Sequence, residues 1–356
     1  MKIVFVTSSL STGGAERVAA ELSQELSKRH EVFVVITSIR QKEVYSCGQA
    51  KISYLSASKK ITPFSKIRAL KRFLKFVSPD VVVAFPDPCS FYAARACADL
   101  HVPCICSERN APQFAPSKRV MRFLRTESYR LASAVVFQTD EARSFFSKSI
   151  QNKGVLIPNP FEARPQLPRN PEKLIVSFGR LMPQKNYHCL IEAFSLFVGQ
   201  HPDYRLEIYG DGPQRDMLTQ YIDSLHLGSS IFLKGFVDNL ANPLSRASVF
   251  VMSSDHEGMP NALLEAAAAG VPCVSTDCPV GGPRFLIGNN HFDQLVPIND
   301  PSAISSAINS IVENYSVASK GCAEYADTLK KNLSLQTIVE KWELLMQKVI
   351  LGKKNK

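Results

Sequence analysis

With 356 residues, 45% of them hydrophobic and 21% charged, the chain has the composition of a two-domain folded protein, not of a disordered or fibrous one. Its longest stretch free of Lys, Arg, Asp and Glu is the thirteen residues Ile3 to Ala15, and the N-terminus has no small-residue cleavage site, so neither a spanning helix nor a signal peptide is expected. Net charge is +10, yet residues 1–170 carry 26 basic and 13 acidic side chains while residues 171–356 carry 16 and 19, so the first half is expected to meet an anionic partner, nucleic acid or an acidic membrane surface. Nine cysteines with no CxxC pair indicate buried thiols in a reducing compartment, not disulfides or a zinc site.

Near-continuous apolar strands alternate with helical stretches along the whole chain. Ile3–Thr7 is a strand, Ala15–Lys28 has helical spacing (Val18, Leu22, Leu26), and Val32–Thr37 is a strand again. Val81–Phe85, Cys104–Cys106, Ala134–Phe137 and Val155–Ile157 continue the series. From Ile157 to Pro171 there are five prolines in fifteen residues, which reads as a linker. The alternation then restarts with Leu174–Phe178, a helix from about Tyr187, Leu206–Tyr209, a helix near Gln214–Leu225, Ile231–Leu233, Val249–Met252, a helix over Pro260–Ala269, and Val274–Thr276. A last helix near Leu335–Ile350 carries the only tryptophan, Trp342. The pattern predicts two doubly wound α/β domains with parallel sheets covered on both faces and ligands at the carboxyl ends of the strands.

Three strand-end loops carry residues suited to chemistry. Thr7 to Arg17 includes Gly13-Gly14-Ala15-Glu16 between a strand and a helix, but matches neither a dinucleotide nor a P-loop spacing, and a plain turn explains it as well. Phe178-Gly179-Arg180 through Lys185-Asn186 places two cations five residues apart, which suits a diphosphate clamp or a solvated basic loop. In Ser253 to Gly270, Glu257 lies on the loop and Glu265 in the second turn of the helix it starts, with the amides near Met259–Ala262 expected as helix-end donors. Two such carboxylates fit vicinal hydroxyls of a sugar or ribose. The plainer alternative, a dipole partner and a surface residue, sits poorly with a glutamate inside the apolar run Ala262–Ala269.

Glu257-x7-Glu265, with Gly258, Pro260 and Asn261 inside it, resembles the EX7E motif of family 4 retaining glycosyltransferases with the GT-B fold. The resemblance extends through Phe178-Gly-Arg-Leu, Lys185-Asn186, Tyr209-Gly-Asp-Gly-Pro213, Leu233-Lys-Gly235-Phe236 and the Gly13-Gly14 loop, and covers nearly the whole chain. Cys278-Pro-Val-Gly-Gly-Pro283-Arg284 is similar to a segment of the branch that builds bacterial capsule, O-antigen and lipid-linked oligosaccharides. The resemblance implies a donor site of Gly13, Gly14, Gly179, Arg180, Lys185, Gly235, Phe236, Val237, Glu257, Gly258, Met259, Pro260, Asn261, Ala262 and Glu265. Arg180 and Lys185 would bind the diphosphate, Glu257 the transferred sugar, Glu265 the ribose hydroxyls, and the Gly235–Val237 backbone would border the base. Gly13 and Gly14 would approach the β-phosphate. No metal or other cofactor is implied, and retention would follow from front-face attack.

Many relatives carry a histidine where this chain has Cys106-Ser-Glu108-Arg109-Asn110; Glu108, as a polar positioner or base, or Arg109 is expected to face the acceptor instead, the alternative being that the two pair with each other. In the basic half, Lys59, Lys60, Lys66, Arg68, Lys71, Arg72 and Lys75 interleave with Ile61, Phe64, Ile67, Leu70, Phe73, Leu74 and Phe76. Lys118, Arg119, Arg122, Arg125 and Arg130 do so with Phe123 and Leu124. These stretches are expected to lie on an anionic membrane; nucleic acid, the competing partner, has no supporting motif.

The expectation is an acceptor-binding domain over 1–157, a linker over 158–172, a nucleotide-sugar domain over 173–334, and a C-terminal helix with a basic tail over 335–356 packing toward the first domain. Such a protein would transfer a hexose or N-acetylhexosamine from a nucleotide sugar, UDP-linked by expectation, to a lipid-linked or cell-surface glycan at the inner face of the cytoplasmic membrane. The alternatives are a nucleotide-sugar epimerase of the same fold and a non-catalytic nucleotide-sugar binder.

Overall fold

A computed structural model describes the chain except at residues 12, 39–43, 56–61, 87, 162–166, 238 and 355–356. Its contacts divide it into two units, Met1–Pro160 with Leu335–Lys356, and Phe161–Ser334. Lys59, Lys60 and Ile61, expected on a membrane-facing stretch, lie outside the described residues.

The first unit is built on β1 (Lys2–Thr7), β2 (Glu31–Ile36), β3 (Lys51–Tyr54), β4 (Val81–Ala84), β5 (Cys104–Ser107), β6 (Ala134–Phe137) and β7 (Gly154–Leu156). These form one sheet in the order β3-β2-β1-β4-β5-β6-β7, every pair parallel, with Val4 opposite Phe33 on one side and Val82 on the other. The second unit repeats the plan with β8 (Leu174–Phe178), β9 (Arg205–Tyr209), β10 (Ile231–Gly235), β11 (Val249–Met252), β12 (Cys273–Thr276) and β13 (Gln294–Val296), in the order β10-β9-β8-β11-β12-β13. Apolar side chains on both faces of the central strands, such as Ile3 to Val6, Val81 to Val83 and Leu174 to Val176, are fully buried, which is why their sequences run without alternation. The two strands that sequence reading missed, β3 and β13, both lie at sheet edges. In β3, Lys51, Ile52 and Tyr54 are exposed, so no apolar run marks it.

Of the expected linker, residues 162–166 lie outside the described residues, and the described ends are held by the two units. Asn159 and Pro160 belong to the first, and Asn159 is buried. Beyond Phe161, Arg169 donates to the carbonyls of Leu244 and Ala247 and to the Tyr315 hydroxyl, each at 3.0 Å, and the Asn170 and Glu172 amides bond to Ser245 and Arg246. Side chains and amides between the prolines thus strap residues 169–172 to the second unit. The helix Leu335–Lys354 groups with the first unit. Its Trp342 is fully buried with its ring 5.5 Å from that of Phe85, and Glu343 bonds to Arg29 at 2.9 Å and to His30 Nε2 at 2.5 Å.

The two basic helices are not charged stripes over an exposed apolar face. In Pro63–Val77, Leu70, Leu74 and Val77 are core, Phe73 packs edge-on to Phe33, Lys71 pairs with Asp99 at 3.0 Å, and Lys66 reaches Ser38 and lies over the Tyr92 ring. What remains exposed is Phe64, Arg68, Arg72, Lys75 and Phe76, whose spacing places them on one side of the helix. In Arg119–Leu131, Arg125 is buried and so is no surface contact, Arg122 bonds to the Pro116 carbonyl and Arg130 pairs with Glu127, while Lys118, Arg119, Val120 and Phe123 are exposed. The helical periodicity holds and the apolar positions divide: Leu70, Leu74 and Val77 turn inward, whereas Phe64, Phe76, Val120 and Phe123 stay exposed among the basic residues.

Two outcomes follow for stability. Trp342→Ala removes a fully buried ring and is expected to cost about 3–5 kcal/mol in denaturant unfolding of the first unit. Burial pushes the carboxyl of Asp293 up to about 6, against hydrogen bonds from the Cys273 amide, Asn290 and Cys322. The folded state therefore holds this proton more tightly than the unfolded chain, and that contribution is complete below about pH 4 and lost as pH rises through about 6. Asp293→Asn is expected to gain on the parent by about 3 kcal/mol between pH 4 and pH 8, measured by unfolding at the two pH values.

Candidate active site

In each sheet the chain winds outward in both directions from one strand. In the second unit that strand is β8, flanked by β9 and β11, so the crossovers that follow β8 and β11 depart in opposite directions while the loops that begin them share the carboxyl edge of the sheet. These are the loops that carry Arg180 and Lys185, and Glu257.

The first loop turns at Gly179, whose φ of +159° and close neighbours leave no room for a side chain: a Cβ would lie 2.9 Å from both Lys185 Cε and the Tyr187 hydroxyl. Arg180 is exposed, and a 3-10 turn over Pro183–Lys185 brings Lys185 back toward the sheet. Asn186, at a left-handed φ of +48°, then caps the helix Tyr187–Val198 by accepting from the Cys189 amide.

The second loop is stitched to the first. Lys185 Nζ donates to Glu257 Oε1 at 2.6 Å, and Ser254 Oγ donates to the same oxygen at 2.9 Å. Gln184 donates to the His256 carbonyl at 2.7 Å, the Asp255 amide to the Gln184 carbonyl at 2.9 Å, Asn186 to Asp255 Oδ1 at 2.7 Å, and Ser253 Oγ to the Lys185 carbonyl at 2.9 Å. The Lys185 and Glu257 side chains are 19% and 12% exposed, so water screens the pair weakly. Both bonds fall on Oε1, and Oε2 has no partner among the described residues.

Met259 and Pro260, both buried, lead into the helix Asn261–Ala268, which has no side-chain cap at its N-terminus. The amides of Asn261 and Ala262 are thus helix-end donors at the positive pole of the helix. Glu265 is half-buried in its second turn, and Gly270 at φ +69° ends it. Gly235 closes β10 at φ +78°, with its carbonyl accepting from the Gly210 amide; Phe236 beside it is exposed and Val237 half-buried. Sequence reading missed Ser254, Gln184 and Asp255 as parts of this site. Only Ser254 had a legible signal, a hydroxyl three residues before a strand-end glutamate.

In the first unit Gly13 caps the helix Gly14–Leu26, where a Cβ would meet Glu16 Oε2 at 2.1 Å. The expected acceptor-side carboxylate is corrected. Glu108 is 3% exposed and pairs with Arg125, not Arg109, at 3.2 Å; it also accepts from the Tyr129 hydroxyl and from the amides of Arg109 and Asn110. Burial raises its carboxyl against the pull of Arg125. A carboxylate enclosed this way holds its loop and does not reach an acceptor. Arg109 is also buried, donating to Ser107 at 2.7 Å and Asn159 at 2.8 Å, with its guanidinium over the rings of Phe85 and Trp342. No group of three or more His, Cys, Asp or Glu suited to a metal occurs among the described residues, and all nine cysteines are buried as free thiols.

Comparison with known proteins agrees with this geometry. Residues 159–332 match the family model "Glycosyl transferases group 1" and residues 12–164 match "Glycosyltransferase Family 4". The chain is similar to a Campylobacter jejuni GalNAc-alpha-(1->4)-GalNAc-alpha-(1->3)-diNAcBac-PP-undecaprenol alpha-1,4-N-acetyl-D-galactosaminyltransferase, 26% identical over 98% of this chain and 99% of that one. It is also similar to the amylovoran biosynthesis glycosyltransferase AmsD of Erwinia amylovora, 24% identical over 96% and 97% of the two chains. In fold it matches Anabaena HepE, solved with UDP, at a TM-score of 0.80 and 16% identity, covering 98% of this chain and 100% of that one. Two parallel-sheet units, a switch-point edge carrying the basic loop and the EX7E glutamates, and family models spanning both units lead to one conclusion: the chain belongs to the family 4 glycosyltransferases of the GT-B fold.

Proposed function

We propose that the protein is a retaining transferase that moves a hexose or N-acetylhexosamine from a UDP-linked donor to a lipid-linked glycan of bacterial polysaccharide synthesis, without a metal. The observation that carries this reading is the Lys185–Glu257 pair at the carboxyl ends of β8 and β11, with Arg180 exposed on the Lys185 loop and Glu257 Oε2 open to a hydroxyl. Arg180 and Lys185 supply the positive charge that a leaving diphosphate needs as negative charge develops on it, a task that a cation performs elsewhere. Glu257 holds the transferred sugar, the amides of Gly258, Met259, Asn261 and Ala262 take sugar hydroxyls and phosphate oxygens, and Glu265 takes the ribose. The bond from the anomeric carbon to the phosphate oxygen breaks as the acceptor oxygen bonds on the same face, and the acceptor proton passes to the leaving phosphate. Glu108 has no part in this step. Support for the donor and acceptor classes comes from the relatives, one solved with UDP-glucose and one named for an undecaprenol-linked acceptor.

The basic first unit supports work at the inner face of the cytoplasmic membrane, and no helix among the described residues is long and apolar enough to cross it. The surface that fits lipid head groups is the exposed row Phe64, Arg68, Arg72, Lys75 and Phe76, with Lys118, Arg119, Val120 and Phe123 on the second helix. Lys66, Lys71 and Arg122 are engaged within the unit.

A donor screen tests the reaction: nucleoside diphosphate release is followed with a polyprenyl-diphosphate glycan acceptor, with and without EDTA. Release from one donor that survives EDTA and falls about 100-fold or more in Glu257→Ala is the expected result. Nucleotide binding without release from any donor would point to a binding protein, and loss with EDTA would show a required metal. For the membrane, co-sedimentation with vesicles containing phosphatidylglycerol is expected to weaken about 100-fold in the triple variant Arg68→Ala, Arg72→Ala, Lys75→Ala, at about 1 kcal/mol per cation. Binding unchanged by the triple variant or by salt would exclude this face.

A further inference from the structure

The loop bearing Glu257 rests on a second layer that the reaction as proposed leaves unused. At the end of β12, Thr276 Oγ1 donates to the Ser254 carbonyl at 2.6 Å, and Cys278 Sγ donates to the same carbonyl at 3.1 Å. Ser254 in turn sends its hydroxyl to Glu257 Oε1. Thr276 and Cys278 are almost fully buried, as is Ser254, so each of these bonds is shielded from competing water.

The chain then turns through Val280 at φ +85° and Gly281 at φ +70°. A β-branched residue in that region is rare and is kept only where its surroundings compel it. The turn presses Gly282 against the other end of the same loop: a Cβ there would stand 1.7 Å from the Gly258 carbonyl oxygen and 3.2 Å from Met259 Cα. The Glu257 loop is thus gripped from beneath on both sides of the glutamate, at Ser254 and at Gly258.

We propose that Thr276, with Cys278 and Gly282, forms a positioning brace that holds Glu257 in register with Lys185, so that these residues set the rate of sugar transfer without touching donor or acceptor. The inference rests on the role of Glu257 given above. A group acting through the orientation of a reacting-site carboxylate affects the transition state more than donor binding, whereas a merely structural residue affects neither parameter in the surviving folded fraction.

The test uses the full-length protein in three variants. Thr276→Val keeps the shape and deletes the donor, Thr276→Ser keeps the donor, and Gly282→Ala intrudes on Gly258. In Thr276→Val the amides of Asp255 to Met259 are expected to exchange about 10-fold faster without any ligand present, and the Ser variant to restore the parent rate. Donor turnover should show kcat down about 10-fold in Thr276→Val with KM for the donor within about 2-fold, kcat down about 100-fold in Gly282→Ala, and Thr276→Ser close to the parent. Unchanged exchange in Thr276→Val overturns the brace, as does faster exchange with unchanged kcat. If the parent turns over no nucleotide sugar, the proposed reaction fails, while the exchange experiment still decides whether Thr276 braces the loop.

Discussion

Parallel pairing is the constraint from which the rest of the structure follows. A parallel strand cannot return through a tight turn, so each strand in both sheets is followed by a crossover, and every strand end that can carry a functional loop lies on the same edge. Where winding reverses, at β8, the crossovers that follow β8 and β11 depart in opposite directions, and the loops that begin them lie side by side, joined by hydrogen bonds. The cations and the glutamate of the site are placed on those two loops and on no others. Burial on both faces of the central strands makes the platform stiff, and it is this stiffness that lets hydrogen bonds between the loops set positions to a fraction of an ångström.

The site itself is an arrangement of charge in poor solvent. Lys185 and Glu257 neutralise one another at 2.6 Å, which makes burial of both acceptable, and Ser254 completes the coordination of the shared oxygen. In the first unit the same physics gives a different result. Glu108 and Arg125 are also a close ion pair, but the Tyr129 hydroxyl and two backbone amides use up the remaining capacity of the carboxylate and enclose it. One glutamate is left with an oxygen open to a ligand and the other is not, although both follow parallel strands. Arg109 shows how such enclosure also ties elements together: its guanidinium joins Ser107 at a strand end to Asn159 and stacks against Trp342 of the C-terminal helix.

The helices of the basic half show where sequence periodicity stops informing. Spacing places residues on faces but does not say which face the sheet covers. In Pro63–Val77 Leu70, Leu74 and Val77 face the core while Phe64 and Phe76 do not, and the long stems of Lys66 and Lys71 bend toward Tyr92 and Asp99. In Arg119–Leu131, Arg125 is one helical turn from Arg122 and yet fully buried, because a carboxylate from another strand end waits for it. The edge strand β3 escaped notice for a related reason: it has a neighbour on one side only and exposed side chains, so it lacks the apolar run that marks the strands inside the sheet.

The sequence by itself determined the alternation of helices with all strands but β3 and β13, the two doubly wound units, and the loops on which Arg180, Lys185 and Glu257 lie. These are matters of local composition: apolar runs, helix ends, glycines at turns and the seven-residue interval between Glu257 and Glu265. Tertiary structure alone decided which polar groups meet. Lys185 and Glu257 are 72 residues apart, Thr276 and Ser254 are 22, and Arg109 and Asn159 are 50. No spacing rule reaches over such intervals. Whether a charged side chain is paired, enclosed or open to a substrate is settled only when the sheet has brought its strand ends side by side and excluded water from between them.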